Sequence, residues 1–125
     1  MIYPVRVSAA LTLALAACTT NQGVVTDPVA AARDLYAIES DYVVPLSLAV
    51  RYKHLPRCAT GGPILCEDPA VVAHLDAANK AIVSAFAAAQ AVIKAKGTAA
   101  QIAAALGQAH SLVASFTSFV ASLKE

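Results

Sequence analysis

Residues 68–123 read DPAVVAHLDAANKAIVSAFAAAQAVIKAKGTAAQIAAALGQAHSLVASFTSFVASL, and the spacing of their apolar side chains decides the fold class. Val72, Leu75, Asn79, Ile82, Phe86, Ala89 and Ile93 advance by alternating steps of three and four, which lines them along one side of a helix. This is a heptad seam with one polar member, Asn79, and a lone seam asparagine commonly sets the register between helices. Asp68-Pro69 supplies the start, with aspartate as N-cap and proline at the first helical position. Lys94 and Lys96 suit the negative end of the helix dipole, and Gly97 is the expected stop. Thr98 and Gln101 then have the spacing of a capping box. Behind them run Ile102, Ala105, Ala109, Leu112, Phe116, Phe119 and Leu123, a second seam widened by Leu106, Val113 and Val120. With little more than Gly97 between them, the two helices are expected to form a tight hairpin.

Upstream, Asp27-Pro28 repeats the start signal. Leu35, Ile38, Tyr42, Leu46 and Ala49 share one side of a helix that reads on to about His54. Pro45 removes a backbone donor from its interior, so a kink there is expected rather than a break. Abundant alanine agrees with helix throughout. A chain of 125 residues is enough for one domain, and its formal net charge of +1 argues against nucleic acid as a partner.

The first residues carry a single cation, Arg6, and then an apolar run from Val7 to Ala17. That run is shorter than the ~20 residues needed to span a bilayer and has the layout of an export signal. It ends in Leu15-Ala16-Ala17-Cys18, which resembles the lipobox of bacterial lipoproteins. The resemblance implies cleavage before Cys18, diacylglycerol on its sulfur and an acyl chain such as palmitate on the new amino group. Thr19 is not the aspartate associated with inner-membrane retention, so the resemblance points to the outer membrane, facing the periplasm. The implied domains are a lipoprotein signal peptide over 1–17, a lipidated cysteine and tether over 18–27, and a helical bundle over 28–125.

Export would place the remaining pair, Cys58 and Cys66, where disulfides form. The loop between them contains Gly61-Gly62-Pro63 and can close, a constraint worth about 2.5 kcal/mol by chain entropy. The spacing is not that of a Cys-x-x-Cys redox pair. The expected fold is therefore all-α: an elongated antiparallel three-helix bundle with a disulfide-pinned loop between helices one and two. Each rod would be roughly 40 Å long at 1.5 Å per residue.

Catalytic signals are missing from the sequence. There is no Gly-rich phosphate loop, no His-Glu-x-x-His and no Gly-x-Ser-x-Gly. His54, His74 and His110 sit on different elements, so no metal site or cofactor is expected. Asp34 and Asp41 can share a helix face, with Glu39 to one side, but a slim bundle offers no cleft to perturb them. Asp76 and Lys80 have the spacing of a favourable i,i+4 pair. Arg51, Lys53, His54 and Arg57 gather near the end of helix one. They read either as a collar on the helix dipole or, for Arg51, Lys53 and Arg57, as contacts to an anionic partner.

Helix three is the unusual one: from Gly97 to Leu123 it has no Asp, Glu, Lys or Arg. Gln108, Ser111, Ser115, Ser118 and Ser122 step along its outer side at small-xxx-small spacing, which lets another helix approach closely. A solvated serine-coated face is the alternative, and the polar residues argue against a transmembrane span. The body resembles uncharacterised small helical lipoproteins of bacterial and prophage genomes in Leu55-Pro56-Arg57-Cys58 and in Leu65-Cys66-Glu67-Asp68-Pro69-Ala70-Val71-Val72. That resemblance implies no activity. The sequence is thus expected to encode a membrane-anchored envelope protein, non-enzymatic, that binds another protein or itself. The alternatives are a phage-encoded lysis or superinfection-exclusion lipoprotein and a small carrier of amphiphiles.

Overall fold

The computed structural model describes residues 27–123. The expected leader, Cys18 and all of the tether except Asp27 lie outside the described residues. Three helices pack on one another: α1 over Pro28–Lys53, α2 over Pro69–Lys94 and α3 over Ala99–Ser122. The described residues form no strand, only an isolated bridge between Arg57 and Glu67.

Each helix begins where local chemistry satisfies its free amide groups. The Asp27 carboxylate accepts from the Val29 amide at 3.0 Å, and the Asp68 carboxylate from the Ala70 amide at 2.8 Å. Proline follows each cap, where its missing N–H is no loss. The Thr98–Gln101 capping box is complete: the Gln101 amide donates to Thr98 Oγ1 at 3.2 Å, and the Thr98 amide to Gln101 Oε1 at 2.9 Å.

Two expectations about helix interiors and ends resolve differently. Pro45 lies inside a single helix that runs on to Lys53, and its ring is buried against the rest of the bundle. At the end of α2 the expected stop shifts by one residue. Lys96, not Gly97, takes the left-handed conformation (φ 53°). The Lys96 amide donates to the Ile93 carbonyl and the Gly97 amide to the Val92 carbonyl, at 3.1 and 3.0 Å, which is a Schellman motif. Gly97 is required for a different reason, close approach. A Cβ there would lie 2.7 Å from Val92 Cγ1 and 3.2 Å from the Val92 carbonyl oxygen. Gly97→Ala is therefore expected to destabilise the fold by about 1–3 kcal/mol through overpacking. Lys96→Gly should instead stabilise it by about 0.5–1 kcal/mol, because glycine relieves the left-handed backbone. Urea titration of both variants separates steric need from conformational need.

The seams meet in two apolar clusters. Ala31, Leu35, Ala89, Ile102 and Leu106 form one. Tyr42, Ala49, Leu75, Ile82, Val113, Phe116 and Val120 form the other. Ala31, Ala89 and Ala109 are 0% exposed. Within the larger cluster the Tyr42 ring stands edge-on to Phe86 and tilted to Phe116, with centroids 5.8 and 5.4 Å apart. Its hydroxyl donates to the Asn79 carboxamide oxygen, so the polar member of the α2 seam is satisfied by α1. Burial raises the pKa of that hydroxyl above its ordinary value.

Cys58 and Cys66 are disulfide-bonded, their Cα atoms 4.8 Å apart. The bond sits on a short backbone ladder: the Cys58 amide donates to the Glu67 carbonyl at 3.1 Å and the Glu67 amide to the Pro56 carbonyl at 2.9 Å. Tyr52, near the end of α1, accepts at its hydroxyl from the Asp68 amide at 2.9 Å. The end of one helix thus holds the cap residue of the next.

Candidate functional site

The groove between α2 and α3 is built from the residues those helices do not turn toward α1. Ala81, Ser84, Ala85 and Ala88 line one wall, and Ala105, Gln108 and Leu112 the other, around a hollow of about 350 Å³. A smaller hollow of about 90 Å³ continues it between His74 and Ala78 on one side and Ser115 and Phe119 on the other. The α2 wall carries only alanine and serine. No residue that ionises at neutral pH lines the larger hollow.

Gln108, Ser111, Ser115, Ser118 and Ser122 are all exposed. Gln108 and Ser115 line the two hollows, and the other three continue the same side of α3. The hydroxyl of Ser118 donates to the Ala114 carbonyl at 3.1 Å, and that of Ser122 to the Phe119 carbonyl at 2.6 Å. Their donors are therefore already used within the helix, and excluding water from them strands no polar hydrogen.

The basic group near the end of α1 is divided by its surroundings. Lys53 Nζ lies 2.6 Å from Asp76 Oδ1, joining α1 to α2. This replaces the expected pairing of Asp76 with Lys80, because the start of α2 lies beside the end of α1 and offers Asp76 a cation from another element. Arg57 Nε stands 3.6 Å from Glu67 Oε1 at the base of the disulfide loop. Arg51 has no acidic partner among the described residues. Lys53, Asp76 and Arg57 are solvated while the Glu67 side chain is 14% exposed, and the wide Arg57–Glu67 separation and the solvation of the other three hold each pair to about 1 kcal/mol.

Asp34 and Asp41 are exposed, and Glu39 accepts from Gln90 Nε2 at 3.2 Å. His54, His74 and His110 stay apart on three elements, and the His74 ring packs 4.4 Å from that of Phe119. Among the described residues no group of three potential ligands could hold a metal ion. None of the described helices is long and apolar enough to cross a membrane. Cys18, the expected lipidation residue, lies outside the described residues.

The reading of α1 from its inward side missed a second line of residues. Val29, Tyr36, Val43 and Val50 are all exposed and seven residues apart, with Val44 beside them. The same period that exposed the α2 and α3 seams would have found it. No family model, no curated protein and no solved structure matches this chain.

Proposed function

We propose that this chain is a lipid-anchored envelope protein without catalytic activity, whose α2/α3 groove and adjoining α3 face receive a helix of a partner protein or of a second copy. The observation that carries the reading is the groove itself: small side chains along the α2 wall, no charge in the larger hollow, and the Ser118 and Ser122 hydroxyls satisfied within their own helix. A helix laid there would complete a four-helix arrangement with close backbone approach. The anchor rests on Leu15-Ala16-Ala17-Cys18, and the outer membrane on Thr19.

The bundle is read as elongated and antiparallel. Ala31 and Leu35 near the start of α1 share a cluster with Ala89 near the end of α2 and Ile102 near the start of α3, which supports an up-down-up course. The groove would then run the length of the rod, roughly 35–40 Å.

Ser115→Lys and Ser118→Glu, made separately, test the face with opposite charges. Both are expected to weaken crosslinking or co-purification of the mature protein's partner from its own envelope, or its self-association, while circular dichroism keeps the helical signal. A wet, unpartnered face would give changes within about 0.5 kcal/mol and unaltered association for both variants. That outcome would overturn the proposal.

A further inference from the structure

The end of the bundle where α1 gives way to the disulfide loop carries an apolar projection and an apolar hollow side by side. No residue between Cys58 and Cys66 ionises, Ile64 is fully exposed and Leu65 is 70% exposed. The loop has little freedom to fold these side chains away. The disulfide closes it, and the backbone ladder at Cys58 and Glu67 holds its base. Its tip is a turn in which the Gly62 amide donates to the Ala59 carbonyl at 2.9 Å and Gly61 takes the positive φ, 77°, that glycine adopts without strain. Beside Ile64, the residues Leu48, Tyr52, Leu65, Val120 and Leu123 line a hollow of about 280 Å³. A cavity of about 150 Å³ already takes a benzene ring, so the branched side chain of an isoleucine fits. The nearby charges are engaged within the chain: Arg57 with Glu67, Lys53 with Asp76, and Asp68 as the cap of α2. Arg51 stands about a quarter turn round α1 from the wall formed by Leu48 and Tyr52, at 100° per residue.

We infer that this end of the bundle is a contact between two copies of the chain, in which Ile64 of each copy seats in the hollow of the other. A two-fold axis beside the loop makes the exchange reciprocal, since one patch carries both the projection and its seat. A flat lipid surface would cover the projection and leave the hollow unfilled; a second copy fills both at once. The contact is separate from the α2/α3 groove, with which the hollow shares no residue, and it leaves that groove open to a partner helix. The inference rests on the anchored reading only for orientation. Copies held through Cys18 in one leaflet stand the same way up, and α1 sets the loop of each about 39 Å along the helix from its tether. The two loops then meet at one height, as an axis normal to the membrane requires.

Met1 is the chain's one methionine and falls in the expected signal peptide, so Ile64→Met grown with photo-methionine places a single diazirine in the mature protein. Reporter copies and heavy-isotope-labelled copies of the mature protein are mixed in detergent, reconstituted into phosphatidylcholine vesicles and illuminated. Cross-links from position 64 of one copy to segments 48–52 or 120–123 of the other are expected, and the isotope label separates them from links within one copy. Links confined to one copy, links to phospholipid or to the α2/α3 groove, or none at all would overturn the inference. Ile64→Ala should raise the dissociation constant of the detergent-solubilised dimer about a hundred-fold in sedimentation, because symmetry removes the side chain from two seats, while circular dichroism keeps the helical signal. An unchanged constant would overturn it too. Ser115→Lys, in the groove, should leave the cross-link in place; its loss there would assign the contact to the groove instead. The two readings fail separately. A mature chain without lipid by mass spectrometry that still forms the cross-link removes the anchor and keeps the contact. A lipidated chain that forms none removes the contact and keeps the anchor.

Discussion

Ile82→Ala is expected to lower the stability of the bundle by about 3–4 kcal/mol. Ile82 is 1% exposed and packs in the cluster where all three helices contribute side chains. Removing its branched end forfeits burial and leaves a cavity that flanking helices, already held apart by their other contacts, fill only partly. Domains of this size are stable by roughly 5–15 kcal/mol, so the loss is a large fraction of the total. The urea midpoint should fall at unchanged slope, since the surface exposed on unfolding scarcely changes. Val83→Ala, at the adjacent and 54% exposed position, should stay within about 0.5 kcal/mol of the parent. A larger loss at Val83 than at Ile82 would mean that the helix faces the other way.

Cys18→Ser is expected to move the protein out of the mature membrane-bound pool altogether. Serine cannot form the thioether, and the lipobox resemblance implies that cleavage follows lipidation. The product would be an unprocessed precursor, or a chain without its anchor. Each methylene buried in the bilayer contributes about 0.8 kcal/mol, so two or three acyl chains hold far more firmly than a single one. Fractionation together with the mass of the mature N-terminus checks this directly. A mature, soluble chain carrying a free Cys18 thiol would defeat the anchored reading, and with it the proposed address.

Local chemistry was readable in the sequence, and contacts between elements were not. The caps at Asp27, Asp68 and Thr98 depend on residues within three positions, and all three form. The α2 and α3 seams follow from period: Leu75, Ile82, Ala89, Ile102, Ala109 and Phe116 are buried, while Val72, Asn79, Phe86, Ile93, Ala105, Leu112, Phe119 and Leu123 are half-buried and Leu106, Val113 and Val120 complete the inner line of α3. The Cys58–Cys66 bond was expected through the lipoprotein resemblance and the even count, and it is formed. Asp76 was misassigned because a helix-local rule cannot know that Lys53 stands nearer. The left-handed residue is Lys96, and Gly97 is set one place on, where Val92 of the same helix end leaves no room for a Cβ, a steric demand within the turn that composition alone does not show. Of the candidate site, the α3 stripe was legible from its lack of charge. The alanine wall on α2 was not, because an exposed alanine and a seam alanine look alike in a sequence.

That likeness bears on how the chain would tolerate random substitution. Ala31, Ala89 and Ala109 are fully enclosed where helices touch, so almost any larger side chain would push the rods apart. Ala87, Ala91, Ala103, Ala114 and Ala121 are exposed and should accept most replacements. A mutational scan would therefore split one residue type into two extremes, with its deepest losses at some of the smallest side chains. A diverging lineage could then rewrite most of its alanines freely and retain the fold through a few methyl groups.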